Sequence, residues 1–330
     1  MWRDIVGKSG SLYKKYPNLS MLGIIMIITL LLFSIMLPGK FFTASNFSSI
    51  AFQLPELGIL TIAMAITMLS GGINLSIIAT ANISGIVMAS IIKSMMASPD
   101  AAAGGIVFLA IIVGMGVGAL VGVVNGIIIA YIGVSPILAT LGTMTLINGI
   151  SILVTKGYVI SGLPQEMLVI GNGEFLGIPV PFIIFIIVAL IIAFWLRKTP
   201  SGMSNYLIGS NEKATRYSGV DTKKVLMKTY IISGILCSVA AMVMIARFNS
   251  ARAGYAESYL LVTVLASVFG GIDPNGGFGK VAGLIMSLFV LQMVSSGLNL
   301  LGINPFITVV LWGAILLVIM LVRRFRLKTR

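Results

Sequence analysis

Histidine is absent from this chain, and cysteine occurs once, at Cys237. Without histidine there is no imidazole ligand, base or proton relay. A single cysteine excludes an intrachain disulfide and a thiolate metal cluster, so no metal site and no cofactor held by this chain are expected. Charge is scarce as well: 22 basic and 9 acidic residues make up 9% of 330, against about a quarter in a soluble domain. With 58% hydrophobic residues and a mean hydropathy of +1.09, the scarcity rules out a soluble globular enzyme, a secreted disulfide scaffold and a disordered chain. The apolar runs are continuous rather than alternating with period two, which excludes a porin-type barrel. What remains is an all-α polytopic transmembrane bundle, a single domain over residues 1–330.

A crossing needs about 17–25 apolar residues. Ten such stretches are present, near 20–37, 52–70, 74–92, 104–123, 136–155, 178–196, 229–246, 256–271, 281–298 and 304–322. The eighth is short, and an apolar tail at 125–133 leaves nine or eleven spans as alternatives. The first run follows Arg3, Lys8, Lys14 and Lys15 and ends at Pro38-Gly39-Lys40 without a small-x-small pattern, so it is read as a retained span.

The basic residues choose the orientation. With ten spans and the N-terminus inside, 17 basic and four acidic residues fall inside; five of each fall outside, the basic ones being Lys40, Lys93, Lys156, Arg247 and Arg252. This satisfies the positive-inside rule with both termini cytoplasmic, and an odd count would put the C-terminal basic cluster outside. The excess of +13 therefore calls for anionic lipid and protein partners, and no nucleic acid.

The substantial polar stretch is residues 197–228, an inner loop. Within it Asn211 suits an N-cap and Gly219 a C′ position. A helix of about seven residues, 212–218, is expected between them. So short a helix is marginal in water and has to be ordered by packing. Composition alone reads the segment as an ordinary basic loop; the double cap reads it as a docking helix.

Gly209-Ser210-Asn211-Glu212-Lys213-Ala214 followed by Gly219-Val220 resembles the G-x-N-x-x-A-x-x-x-x-G-(I/V) loop of ABC importer permeases of the ribose/xylose/galactose type. Tyr230-Ile231-Ile232-Ser233-Gly234 continues the likeness. Gly71-Gly72-Ile73-Asn74-Leu75-Ser76 is similar to the family's G-G-(I/V)-D-L-S, and Gly270-Gly271 with Gly276-Gly277-Phe278-Gly279 to its second glycine pair and G-G-x-G. The matches run from about residue 60 to 320. The resemblance implies a ten-span fold in a bacterial inner membrane. It also implies a coupling helix after span 6 that carries Asn211, Glu212, Ala214, Arg216 and Gly219. The implied partners are a cytoplasmic ATPase holding ATP and magnesium, an extracytoplasmic solute-binding protein, and a second permease copy or paralogue. Three departures leave the substrate open: Asn74 stands where the family has Asp, Met203-Ser204-Asn205 lacks an Arg, and the stretch 260–266 lacks the acids of E-L-D-A-I-A-A.

Gly276-Gly277-Phe278-Gly279-Lys280 is no phosphate loop, because G-x-x-x-x-G-K-(S/T) needs glycine at Pro274 and a hydroxyl at Val281. The protein is therefore read as non-catalytic. Leu69-Ser70-Gly71-Gly72-Ile73-Asn74 resembles Val268-Phe269-Gly270-Gly271-Ile272-Asp273, and Val134-Ser135-Pro136 resembles Ile303-Asn304-Pro305. Such repeats build transporters around a central path, although glycine-rich turns also resemble each other by chance. Gly114, Gly118, Gly122 and Gly126 recur at four-residue spacing, a ridge for helix packing.

Polar residues within spans are the candidates for a path. They are Asn74, Asn82, Asn125, Asn148, Thr140, Gln292 and Asn299, with Thr143, Ser295 and Ser296. Each also serves an ordinary interhelical hydrogen bond. As a neutral set they suit a small hydroxylated solute (a monosaccharide, a polyol or a sugar-like signal) and alternating access driven by a separate ATPase. The alternative is a sodium-coupled secondary transporter; an intramembrane enzyme lacks a base or an acid pair. Glu56 and Glu257 are expected as solvated edge residues or as contacts for the binding protein.

Overall fold

The computed structural model describes residues 17–96 and 103–328. Arg3, Asp4, Lys8, Lys14, Lys15, Asp100 and Arg330 of the charge count lie outside the described residues. The described chain forms twelve α-helices. In order they are α1 (Pro17–Met36), α2 (Ala44–Leu69), α3 (Ile77–Met95), α4 (Ala103–Gly126), α5 (Pro136–Thr155) and α6 (Gln165–Asn172). Then follow α7 (Val180–Lys198), α8 (Pro200–Tyr217), α9 (Thr222–Phe248), α10 (Tyr259–Phe269), α11 (Val281–Leu300) and α12 (Pro305–Lys328). Among the described residues strand is limited to four two-residue pieces: β1 (Ile160–Ser161) pairs with β4 (Ser250–Ala251), and β2 (Glu174–Phe175) with β3 (Ile178–Pro179).

All ten apolar segments of the sequence are helical. Among the described residues, eight helices are long and apolar enough to cross a membrane; α10 and the apolar part of α12, Pro305–Ile319, are shorter. The 11 residues of α10 rise about 16 Å, roughly half the hydrocarbon thickness of about 30 Å. The segment 256–271 is thus a half-length helix, because left-handed residues at Gly254 (φ 81°) and Ala256 (φ 54°) delay its start to Tyr259. The tail at 125–133 makes no further span. It continues α4 as a π-helical turn, Ile127–Ile132, ended by Gly133.

The expected inner loop is mostly helix. Thr199 caps α8 by accepting from the Gly202 amide, with Pro200 in the first turn. Asp221 caps α9 eight residues before the expected span edge at 229, accepting from the Lys224 amide at 3.1 Å. The polar composition concealed both helices, since hydropathy reports burial in lipid rather than backbone geometry.

The core is built on α2 and α9. Every residue of α2 from Leu54 to Leu69 is buried, and its hydroxyls at Thr61 and Thr67 donate to the carbonyls of Leu57 and Met64 in the same helix. Helix α9 lies against α2, α3 and α4. A Cβ at Gly118 would strike the Gly234 carbonyl and the Ser238 hydroxyl, and one at Gly122 would strike the backbone of Tyr230 and Ile231. Gly126 faces Met227, and Gly114 receives Met88 of α3. The four-residue ridge of the sequence is therefore the α4 side of a backbone-to-backbone seam with α9, extended onto α3.

Candidate functional site

The short segment after Gly209 is a separate helix. Asn211 leaves helical geometry (φ −165°, ψ 101°) and divides α8 into 200–210 and 212–217. The Asn211 Oδ1 accepts from the Ala214 amide at 2.9 Å. At the other end Gly219 takes φ 84° and donates to the Arg216 carbonyl. Glu212, Lys213, Ala214 and Arg216 are exposed, Thr215 is buried, and Tyr217 is 93% exposed. Sequence reasoning passed over Tyr217, the large aromatic of this surface.

The base of the short helix rests on glycine. The two glycine pairs form the same turn: Gly71 and Gly72 donate to Met68 and Thr67, while Gly271 and Ile272 donate to Val268 and Ser267. Both are Schellman closures with a left-handed glycine, φ 84° at Gly71 and 88° at Gly271. The repeat read from the sequence is therefore a repeated backbone motif. The loop after the second closure returns to the first, where the Gly277 amide donates to the Leu69 carbonyl at 2.9 Å. Gly209 lies in that junction, and a Cβ there would strike Leu69, Gly276 and Gly277. One turn earlier, Asn205 is fully buried. It donates to the Ile66 carbonyl at 2.8 Å and accepts from Thr229 at 3.0 Å. In the stretch noted for lacking an arginine, this asparagine ties α8 to both core helices.

The polar residues of the spans separate into groups. Asn74, 3% exposed, donates to Ser233 (3.1 Å) and accepts from Ser76 (2.7 Å). The Ser233 hydroxyl in turn donates to the Ala63 carbonyl at 3.0 Å. Asn125 donates to Ser76 at 2.9 Å and accepts from Thr143 at 2.7 Å. Thr140 accepts from the Leu75 amide and sits beside the Ile73 carbonyl. This network satisfies the broken chain between α2 and α3. Asn82 lies apart, donating to the Tyr255 carbonyl, and Ser84 pairs with Ser238 at 2.9 Å. Gln292 donates to Gln53, Asn148 is half-buried and Asn299 is exposed. The seven candidates do not line one space, since hydropathy locates depth but not which face of a helix a side chain takes.

Two features are absent from the sequence reading. A polar cleft of about 460 Å³ opens beside the short helix, bounded by Ser70–Gly72, Ser135, Arg216, Lys223 and Tyr230. The Tyr230 hydroxyl, in a residue 1% exposed, has no hydrogen-bond partner among the described residues. At the opposite end, Glu56 is fully buried rather than solvated. Arg247 donates to both its oxygens, at 3.1 and 2.6 Å, and Tyr259 donates at 2.7 Å. The triad joins α2, α9 and α10. It escaped notice because its members lie 191 and 203 residues from Glu56. Around it α6 packs on α9, with Asn172 donating to Ala246 and the Leu163 amide to Asn249.

Residues 46–320 match the model of the family described as branched-chain amino acid transport system / permease component. The chain belongs to this permease family. It is 33% identical over 317 residues to the ribose import permease protein RbsC of Bacillus subtilis (strain 168), covering 96% of this chain and 94% of that one. It is 31% identical over 309 residues to the autoinducer 2 import system permease protein LsrD of Photorhabdus temperata, covering 90% and 88%. The LsrD of Escherichia coli (strain K12) is 31% identical over 273 residues, covering 81% and 80%. No solved structure matches. The permease is thus a multi-pass inner-membrane subunit of an ABC importer, in agreement with the glycine and loop motifs.

Proposed function

We propose that this permease forms the path for a small neutral hydroxylated solute, a monosaccharide, polyol or sugar-like signal, and that a separate ATPase drives it through the helix at 212–217. The observation that carries the reading is the seating of that helix. It is capped at both ends, exposed on its outer face, and anchored through Gly209 and Asn205 to the ends of α2 and α9. A push on it would move two core helices together. Ten spans, both termini cytoplasmic, an extracytoplasmic solute-binding protein and a second permease copy complete the assembly. The names of the ribose and autoinducer 2 relatives support the solute class.

The path we propose follows the seam between α3 and α9. Neutral pairs mark it: Asn82 with Tyr255, Ser84 with Ser238, Asn74 with Ser233, then the unpartnered Tyr230 at the cleft. Rocking apart, the seam would exchange these bonds for solute hydroxyls at little net cost, since one hydrogen bond replaces another. The carboxylate-free seam suits release rather than retention of solute.

The test is co-purification of the tagged permease with its ATPase, comparing the intact chain with one in which residues 211–219 are a Gly/Ser linker. Loss of the ATPase in the variant alone supports docking at this helix. Undiminished capture moves docking elsewhere. Failure of the intact permease to capture a verified ATPase removes the ATP-driven reading.

A further inference from the structure

The polar cleft beside the short helix carries charge that a neutral solute does not need. Arg216 reaches it from the last turn of the short helix, and Lys223 from the first turn of α9. Glu212 shares the rim. Among the described residues neither cation forms an ion pair; the pairs that form are Lys224 with Asp221 and Arg247 with Glu56. The Lys223 ammonium lies 5.5 Å from the centroid of the Tyr131 ring, a contact that steadies the side chain without neutralising its charge. Ser135 borders the cleft at the head of α5 and does not cap that helix. The floor is Tyr230. A Cβ on Gly72 would strike both the Tyr230 hydroxyl and Pro136, and all three residues bound the cleft. That hydroxyl is buried and lacks a partner among the described residues, and a buried donor left without an acceptor is costly. The volume, about 460 Å³, falls within the range of small-molecule sites, about 300–1,000 Å³.

We propose that this cleft binds a small phosphorylated polyol, and that the bound ligand brakes the permease from the cytoplasmic side. The phosphate sits between Arg216 and Lys223, where charge-assisted hydrogen bonds favour it over a neutral solute. Glu212 accepts from the hydroxyls of the ligand, and Tyr230 and Ser135 donate to its oxygens. The carboxylate decides the class of ligand. It repels phosphate oxygens and accepts from hydroxyls, so it selects a compound bearing both over a bare anion. Arg216 and Lys223 flank the connection at 218–221. A ligand held by both ties the short helix to the start of α9 and removes the freedom that a push on that helix requires. The cytoplasmic position and the brake rest on the orientation and the ATP-driven reading given under the proposed function.

The test places full-length permease, without ATPase, in phosphatidylcholine nanodiscs and titrates ribose 5-phosphate by calorimetry. One saturable site per permease is expected. Ribose and inorganic phosphate should each bind about tenfold more weakly or worse, the factor that one hydrogen bond to a charged group supplies. R216Q/K223Q is expected to weaken binding by at least about the same factor. Tyr230→Phe deletes a hydroxyl that holds nothing in the fold and is expected to weaken binding roughly fivefold. K213Q/K228Q removes two nearby charges that do not line the cleft and is expected to bind as the wild type does. In vesicles holding permease, ATPase and ATP, enclosed ribose 5-phosphate is expected to slow uptake by the wild type but not by K223Q. Absence of binding, equal binding of ribose or of inorganic phosphate, or unchanged binding by R216Q/K223Q overturns the proposal. So does loss of binding when phosphatidylglycerol is added to the nanodiscs, which would make a lipid headgroup the occupant. Uptake indifferent to the bound ligand overturns the brake. The titration needs no ATPase, so failure of ATPase docking and failure of ligand binding read separately.

Discussion

Gly122 lies against the Tyr230 and Ile231 backbone, whereas Gly116, six residues away on the same helix, has no described residue within 4 Å of an added Cβ. Gly122→Leu must therefore separate α4 from α9, at about 1–3 kcal/mol or more because the neighbour is backbone. Gly116→Ala is neutral or slightly stabilising, as alanine favours helix over glycine by up to about 1 kcal/mol. Thermal unfolding of the two variants in nanodiscs should give opposite signs. Glu56 presents the same contrast between sequence and surroundings. Glu56→Gln leaves Arg247, whose side chain is 20% exposed, without its counter-charge, and breaking such a pair costs about 3 kcal/mol. Replacing both partners, E56Q/R247Q, is expected to recover part of that loss in the same assay. A stable single variant would show that Tyr259 and water compensate.

At the scale of elements, capping defines the segment that carries the proposed coupling. Asn211→Ala removes the acceptor for the Ala214 amide, worth about 1 kcal/mol. A helix of 212–217 has little else to hold it. Faster amide hydrogen exchange across that segment, with solute uptake reduced, is expected; Asn211→Asp should preserve both. Helix α9 has a titratable cap. The Asp221 carboxyl is held below its ordinary range, first by the Lys224 amide and then by its ammonium group. A depressed folded pKa adds stability that is complete above the unfolded value and is lost as pH falls through the folded one. The start of α9 should stay ordered at neutral pH and fray only in acid, and Asp221→Asn should remove that acid sensitivity. Amide exchange at residues 222–225 as a function of pH checks both.

For the whole molecule, the proposed path is neutral along its length. Among the described residues the buried acid is Glu56, and it is engaged by Arg247 and Tyr259. Nothing in the α3–α9 seam then offers a protonation cycle. Vesicles holding permease, ATPase and binding protein are expected to take up solute only with ATP inside. Uptake should be unchanged when sodium and proton gradients are collapsed. Uptake that follows a sodium gradient without ATP would overturn the proposed mechanism.

Much of this molecule is legible before folding, because lipid imposes a strict rule. Backbone polar groups must be satisfied within each crossing, so length and hydropathy alone mark helices. The ten apolar segments, the Asn211 and Gly219 caps, the glycine ridge and the paired glycine turns are local properties of consecutive residues, and all could be read from the chain. The helices at 200–210 and 222–228 were not legible by hydropathy, since their exposed polar faces look like a loop. Tertiary structure alone decided which faces meet. It buried Glu56 against Arg247 and Tyr259, turned Asn74 and Asn125 into one internal network, and brought Gly209 into the junction of the two repeats. The physical reason is that hydropathy measures depth in the bilayer, whereas azimuth around a helix is set by which neighbour packs against it.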